Sequence, residues 1–433
     1  MATSKDKQDK SKPRSTEPEK KALAAEAAEL HGDKIRVDEA ANSLFTKAAL
    51  VGAAGLGVAL VLGQMEGDSF RRFSYAYLVA YVWALAIALG ALYWVTMQNL
   101  VNAKWSIVLR RLGELLASRI PILGVLSLPI VLPVLMGNDV LYEWANHERV
   151  HSDHLLHHKA GYLNATFFLI RFVVYFGFWT FLARFFLNQS LAQDKTGADT
   201  AAATIRSKMQ RAAGPAMIGF GLTLTFCAID LVMTLEPQWF STIFGVYYFA
   251  SCVLGIHSTL VLIVLWLQGQ GRLTKSVTAE HFHDIGKMMF AFTVFWAYIG
   301  FSQFMLIWYA NIPEETFWYK KRFAGEWGTV AWALLFLHFV VPFFGLMSRH
   351  VKRHRKALAF WACWILVVIY VDMYWLIIPK LSPEIVPFGL IDLAAWVGFA
   401  GVLVAAMAYR AKSAVLVPIK DPRLPKSLAF ENI

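Results

Sequence analysis

Long apolar runs separated by short polar segments recur along the chain from about residue 44 to residue 409. Each run is close to the twenty or so residues that a transmembrane helix needs to cross the hydrocarbon core of a bilayer. The weak alternation over about ten residues that is typical of transmembrane β-strands does not occur. The pattern therefore predicts an all-α integral membrane protein with ten spans: 44–63, 73–96, 104–136, 161–187, 213–235, 239–266, 287–310, 327–347, 357–378 and 389–409.

The polar segments predict how the chain is organised around these spans. Residues 1–42 are rich in Lys, Glu and Ala and predict a largely disordered N-terminal segment, with one short polar helix over Lys21–Leu30. Residues 43–410 form the membrane domain, which we expect to contain two four-helix bundles and peripheral helices, and residues 411–433 form a C-terminal tail. Lys and Arg are more than twice as frequent in one set of loops and tails as in the other. The positive-inside rule then places both termini in the cytoplasm.

Composition supports the membrane class and narrows the chemistry. Hydrophobic residues make up 57% of the chain and charged residues 16%, and the net charge of +11 comes from loops and tails, so nucleic acid is not an expected partner. The 3 cysteines stand alone, without a C-x-x-C-H motif for c-type haem or a cysteine run for an iron–sulfur cluster. We therefore expect no covalently bound redox cofactor.

Ionisable and polar side chains inside the apolar runs are the candidates for chemistry, because a charge at mid-membrane costs about 2.5–3.5 kcal/mol to insert. Helix direction and a rise of about 1.5 Å per residue place them at staggered depths. Such a series is what a proton path or a quinone pocket needs. The candidates are Arg171, Asp230, Gln303 and Asp372 in the outer half, His338 near the middle, His257 towards the inside, and Glu236 at a Glu-Pro turn after the fifth span.

Structural roles compete with this functional interpretation. Arg171 and Asp230 could form a buried ion pair that fixes helix packing. His257 and His338 could be hydrogen-bonded core histidines, and their different depths disfavour a shared haem b. If every polar group were paired in this way, the chain would be a purely structural scaffold.

Asp372 is flanked in the sequence by Tyr370 and Tyr374, and it too could serve either role. A third alternative is an ion-coupled secondary transporter that uses the same charges. That class predicts inverted repeats with helix breaks at matching positions. The proline breaks of this chain, such as Pro215 and Pro342, do not mirror one another.

Four of the five histidines in the loop before the fourth span follow one another with spacings of four, three and four residues. On a continuous helix these spacings place them within an arc of about 60° on one face. The face is expected to serve as a partner interface or a proton exit, with a metal site as the weaker alternative. The residues are His147, His151, His154 and His158.

Several segments together resemble a known family. They are NAKWSIVLRR (102–111), KAGYLNATFFLIRFVVYFGFW (159–179), AIDLVMTLEPQWFSTIFGVYYF (228–249) and FWAYIGFSQFMLIWYANIPEET (295–316). The Asp-x-x-Met-x-Leu-Glu-Pro motif and the Asn-Ile-Pro-Glu-Glu-Thr motif carry most of the likeness. The chain resembles, over residues 42–409, the second quinone-binding-type membrane subunit of alternative complex III, in the NrfD-like, polysulfide-reductase-membrane-subunit superfamily.

The resemblance implies a respiratory quinol:electron-acceptor oxidoreductase with ten helices in this subunit and no redox cofactor bound to it. It also implies a paralogous membrane subunit, an iron–sulfur subunit and c-type cytochrome subunits as partners, with a terminal oxidase as a further one. Menaquinol or ubiquinol is the expected electron donor. This chain is then expected to contribute a proton path, a quinone pocket or scaffolding.

Overall fold

The computed structural model describes residues 29–30, 32–37, 39–196 and 199–432. Within these residues, ten helices are long and apolar enough to cross a membrane, which confirms the ten predicted spans. The chain is therefore a multi-pass α-helical membrane protein. In chain order the spans are Glu39–Met65, Arg71–Leu100, Ile107–Leu135, Ala165–Asp194, Asp199–Leu235, Phe244–Gly269, Ala279–Ala310, Gly325–Met347, Arg355–Lys380 and Leu390–Ala411.

Several spans are built from more than one helical piece. Proline has no backbone N–H and clashes with the preceding turn, so pieces of the third, eighth and ninth spans restart with proline in their first turn. The eighth span changes to a π-helical turn before such a restart. The break in the fifth span, at Val232, has no proline. The pieces are Ile107–Ala117, Ile120–Leu126 and Leu128–Leu135 in the third span, Asp199–Leu231 and Met233–Leu235 in the fifth, Gly325–Leu334, Leu335–Val340 and Val341–Met347 in the eighth, and Arg355–Ile377 and Ile378–Lys380 in the ninth.

Short elements connect the spans. A two-stranded antiparallel hairpin precedes the first span, with β1 at Glu29–Leu30 and β2 at Asp33–Lys34. The predicted helix over Lys21–Leu30 is therefore wrong at its last two residues, and the rest of it lies outside the described residues. The other short helices are Glu143–Ala145, His147–Ser152, His154–Lys159, Pro313–Phe323, Arg349–Arg353 and Leu424–Leu428.

The second span is the centre of the fold. It packs against the third, fifth, sixth, ninth and tenth spans, and every side chain from Tyr75 to Leu92 is buried. A helix that is covered on all sides needs no polar stripe, which explains why this run is apolar around its whole circumference.

The first span lies at the edge and packs along the tenth. Glycines make this contact close: a Cβ on Gly55 would lie 2.7 Å from the Gly398 Cα, and one on Gly401 would lie 2.5 Å from the Gly52 nitrogen. Small residues allow two helix backbones to approach in this way, so van der Waals contact can hold the pair together in lipid.

Both described ends of the chain meet at one surface. The backbone N–H of Leu416 donates to the Ile35 carbonyl at 2.8 Å. The Asp33 carboxylate accepts five hydrogen bonds from residues 274–276, which connect the sixth and seventh spans. We call this surface the chain-end side and the opposite surface the far side.

Candidate functional site

Asp372 in the ninth span is fully buried and has an unusual set of partners. Its carboxylate accepts hydrogen bonds from the Tyr247 hydroxyl at 2.5 Å and the Trp296 Nε1 at 3.1 Å, with the Ser251 hydroxyl at 3.5 Å. All three donors are neutral. Among the residues that the structure describes, no cation forms an ion pair with this carboxylate. Asp372 is thus an acid without a compensating charge in the apolar interior.

His338 packs on the face of the same indole whose Nε1 donates to Asp372. Its ring stacks on Trp296 with centroids 3.8 Å apart and an interplanar angle of 27°. The side chain is fully buried, and within the described part of the chain neither ring nitrogen has a hydrogen-bond partner. The interpretation of His338 as a hydrogen-bonded core histidine is therefore wrong. It sits in the π-helical turn of the eighth span, an irregularity frequent at functional sites.

Four consecutive spans bring these side chains together. Tyr247 and Ser251 are one turn apart on the sixth span, so they share a face. The seventh span leaves room for that tyrosine, since a Cβ on Gly300 would lie 3.1 Å from the Tyr247 ring. We call the group the Asp372 cluster: Tyr247, Ser251, Trp296, His338 and Asp372.

Two expectations about this region are corrected. The neighbouring tyrosines do not surround Asp372, because residues two positions away point to another side of a helix. The Tyr370 hydroxyl instead donates to the Asp392 carbonyl at 3.1 Å. Trp296 lies in an apolar aromatic run, which favours ordinary packing, but it is buried and contacts both the acid and the histidine. A tryptophan within an apolar run carries no signal that separates these two roles.

Asp230 in the fifth span is equally buried, but it is paired. Arg171 donates to both carboxylate oxygens, from Nε at 2.8 Å and from Nη2 at 2.9 Å, and the Tyr175 hydroxyl donates at 2.8 Å. The remaining Arg171 nitrogen donates to the Tyr162 carbonyl at 2.9 Å. The guanidinium also lies 4.4 Å from the Phe167 ring centroid. Every charge in this group is compensated, as a structural ion pair requires.

Glu236 at the Glu-Pro turn is also paired. Its carboxylate lies 3.2 Å from Arg322 and 3.4 Å from Lys321, which belong to the helix after the seventh span. Burial lowers the pKa of Arg322 to about 10, and Glu236 opposes this change. Trp318 and Trp239 stack beside the pair with centroids 4.2 Å apart. The sequence predicts a loop around Lys321 and Arg322, and nothing in it shows that their helix folds inwards.

Gln303 is held between two hydroxyl groups. Its Oε1 accepts from Ser241 at 2.8 Å and its Nε2 donates to Tyr319 at 3.1 Å. The side chain lines a pocket of about 420 Å³ on the far side, together with Glu315 and apolar residues such as Val246. Since Gln303 is two turns from Trp296 on the same helix, the pocket lies about 10 Å along the seventh span from the Asp372 cluster.

His257 has the structural role that the sequence favoured. Its Nδ1 donates to the Val253 carbonyl at 2.7 Å, and its ring lies parallel to Phe292 with centroids 6.4 Å apart. It is six residues from Ser251 along the sixth span and makes no contact with the Asp372 cluster in the described structure.

The four histidines predicted to form one arc in the far-side loop do not share a helix face. The chain bends at Asp153, whose side chain accepts from the N–H groups of Leu155 and Leu156 and so starts a new helix. The prediction of a single arc over His147, His151, His154 and His158 is therefore wrong, because the arc requires a continuous helix. Within the described residues no group of three His, Cys, Asp or Glu side chains could hold a metal ion.

A charge network closes the chain-end side. Arg110 contacts Glu114 at 3.0 Å and Asp421 at 2.6 Å, and Arg111 contacts Glu114 at 3.1 Å and Asp194 at 2.6 Å. Burial opposes the ionisation of Asp421, but the Arg110 charge helps hold the pKa of this carboxyl well below its usual range. The network fixes the C-terminal segment to the third and fourth spans.

A comparison with protein-family models found no match for this chain, and a search of curated proteins found none either.

Proposed function

We propose that this chain is an integral membrane subunit of a bacterial respiratory quinol oxidoreductase of the alternative complex III type, and that the Asp372 cluster handles protons. The observation that carries the proposal is the absence of a cation beside Asp372 among the described residues. An acid in an apolar interior needs a counter-charge, water or a proton. Asp372 has only neutral donors, so it is suited to exchange a proton rather than to hold two helices together.

The His338 ring extends this group. A neutral imidazole can accept a proton at one nitrogen and release one from the other, which makes it a common relay. Its two nitrogens have no protein partner in the described structure and are free to meet water or another donor. Trp296 contacts both residues, His338 through its ring face and Asp372 through Nε1.

The Gln303 pocket fits a quinone headgroup. It combines polar atoms of Ser241, Gln303 and Glu315 with apolar walls from Ile243 and Leu306. Ligand pockets commonly pair a few polar groups with apolar walls in this way. Menaquinol or ubiquinol would supply two electrons and two protons when bound there. Gln303 and Ser241 would orient the ring oxygens, and the Asp372 cluster would receive protons beyond Tyr247.

The proposal includes the arrangement in the membrane. Pairwise packing among the second to fifth spans and among the sixth to ninth spans supports two four-helix bundles, with the first and tenth spans at the periphery. The excess of Lys and Arg on the chain-end side supports cytoplasmic termini. Electrons would pass to haem c and iron–sulfur clusters in partner subunits, because no cysteine motif of this chain binds either.

The experiment replaces the Asp372 carboxyl group by an amide group of nearly the same shape. Asp372→Asn in the intact complex should lower quinol-linked turnover and proton release by about 100-fold, as loss of a general acid or base does. Thermal stability should change by less than about 1 kcal/mol, because the neutral donors keep an acceptor. Thr293→Ala removes a buried hydroxyl of the seventh span that lies outside the cluster and donates to the Met289 carbonyl at 2.9 Å. It is the matched control and should stay close to wild type.

Two results would contradict the proposal. Full turnover and proton release in an assembled Asp372→Asn complex would leave the carboxyl without a role in proton transfer. Gentle detergent extraction offers the second check: a chain that elutes alone, without haem-staining partners, would exclude the oxidoreductase assignment.

A structural scaffold is the second candidate function. The bidentate Arg171–Asp230 pair favours it, since that pair has the full set of partners that packing alone would require. The scaffold alternative predicts that Asp372→Asn affects only assembly, so the same variant separates the two candidates.

A further inference from the structure

Three arginines from different spans line one pocket near the chain-end side. Arg119 comes from the third span, Arg184 from the fourth and Arg410 from the tenth, and the pocket has a volume of about 380 Å³. Ser118 and Asn188 add further polar atoms. We call it the tri-arginine pocket.

No acid of the described chain neutralises these arginines. Arg119 Nε donates to the Ser118 hydroxyl at 3.2 Å, and Arg410 Nη1 donates to the Ser413 hydroxyl at 3.2 Å. Neither these two nor Arg184 takes part in an ion pair within the described residues. The neighbouring Arg110, by contrast, contacts two carboxylates. Three like charges around one pocket repel one another, so the arrangement favours a bound anion.

The depth of the pocket points to the membrane surface. The fourth span has 30 residues, so it is about 45 Å long and exceeds a hydrocarbon core of about 30 Å. Arg184 is nineteen residues after Ala165, which places it about 30 Å from the far-side end of the helix. The arginines therefore lie at the headgroup level of the leaflet on the chain-end side.

An open groove continues from the pocket towards the middle of the membrane. It is lined by Gly177, Thr180, Phe181 and Phe185, and it shares Arg184 and Asn188 with the pocket. Gly177 is two turns from Arg184, and a Cβ there would meet nothing within 4 Å. A cationic pocket that opens onto an apolar groove at this depth matches a headgroup and its acyl chain.

We propose that the tri-arginine pocket binds the phosphate of an anionic phospholipid, with one acyl chain in the adjoining groove. Basic pockets between helices on the cytoplasmic side are typical sites for such lipids. Each arginine contributes about a fivefold increase in affinity for an anionic headgroup. The site is separate from the Asp372 cluster, so the inference holds whether or not the chain handles quinol.

The test uses the full-length protein, in its complex where one is purified, in a non-ionic detergent. Fluorescent phosphatidylglycerol is titrated and its anisotropy compared with that of fluorescent phosphatidylcholine. The wild type should bind the anionic lipid more tightly. The triple variant Arg119→Gln, Arg184→Gln and Arg410→Gln should weaken that binding by about 100-fold and leave phosphatidylcholine unchanged.

The matched control removes three charges from exposed positions outside the pocket: Arg211→Gln, Arg349→Gln and Arg355→Gln. This variant should retain the preference for phosphatidylglycerol. If the triple pocket variant fails to fold, the single exposed Arg184→Gln variant should still show a loss of about fivefold.

Four results would overturn the proposal. Equal affinity of the wild type for the two lipids would show that the pocket does not select an anionic headgroup. Equal losses in the pocket and control variants would show general charge attraction. Displacement of the labelled lipid by millimolar inorganic phosphate would identify a free-phosphate site. Lipid binding only after removal of the partner subunits would identify an acidic protein segment as the occupant.

Discussion

Asp230 and Asp372 are both fully buried carboxyls in the apolar part of the same chain, yet their surroundings differ in one respect. Asp230 faces a guanidinium that contacts both of its oxygens, whereas Asp372 faces a phenol, an indole and a serine hydroxyl. Depth and residue type do not separate the two acids. The charge of the partner does, and for this reason we propose packing for the first and proton exchange for the second.

The comparison also extends to the rest of the charged interior. Glu236 and Glu114 each have basic partners, like Asp230. Among the acids proposed from the sequence as functional, Asp372 alone has no cationic partner in the described structure. Most ionisable residues of a membrane interior can thus be structural, and partner charge is the observation that selects the exception.

The largest expected effect comes from breaking the compensated pair. Arg171→Leu leaves the Asp230 carboxylate buried without its cation, which should cost about 3–5 kcal/mol of stability and prevent assembly. Thermal unfolding and the yield of assembled complex in detergent measure this.

The double variant Arg171→Leu with Asp230→Leu should recover most of that stability, because replacement of both charges by apolar groups removes the penalty. A single Arg171→Leu variant that assembles and unfolds like the wild type would show that the two acids are not different in kind.

A smaller effect is expected from His338→Phe, which keeps the stack on Trp296 and removes both ring nitrogens. Turnover and proton release should fall by about tenfold if the imidazole relays protons, within the lower range for general acid–base groups. Thermal stability should remain equal or rise slightly, because two buried unpaired polar atoms are lost. An unchanged rate of proton release would remove His338 from the path and leave Asp372 as the only titrating group of its cluster.

The smallest effect tests whether neutral donors by themselves make an acid functional. Asp33 also has only neutral donors, but it lies outside the spans on the chain-end side. Although its burial opposes ionisation, hydrogen bonds from Ser276, Lys275 and Thr274 bring the pKa of Asp33 below its usual value. Since the folded pKa is lower than the unfolded one, its contribution is complete above about pH 4 and is lost as the pH falls through the folded pKa.

We therefore expect the hairpin and the 274–276 connection to separate at acid pH. Hydrogen exchange measures this as a loss of amide protection relative to the intrinsic exchange rate at that pH. Quinol turnover at neutral pH should be unaffected. Asp33→Asn should exchange faster at neutral pH as well. A loss of turnover in Asp33→Asn would show that neutral donors outside the membrane also mark functional acids, which would weaken the distinction drawn for Asp372.

Some side-chain contacts could be predicted from the sequence and others could not. The difference depends on whether the contact follows from helix direction or from the packing of separate spans. The pairing of Arg171 with Asp230 could be proposed from the sequence, because helix direction placed both in the outer half of the membrane. The partners of Asp372 could not be chosen, since the nearby Tyr370 and Tyr374 point elsewhere while Tyr247 and Trp296 come from other spans. The histidine arc failed at Asp153, where a local cap ended one helix and started another.

The sequence by itself determined the set of ten spans. A run of about twenty apolar residues is a local property, and its length alone matches the thickness of the hydrocarbon core. It also predicted which ionisable groups lie within those spans. Only the tertiary structure decided which of those groups form an ion pair with a side chain of opposite charge. Glu236 meets Arg322, and Asp372 meets no cation in the described chain, because helix rotation and packing bring together side chains that are tens of residues apart.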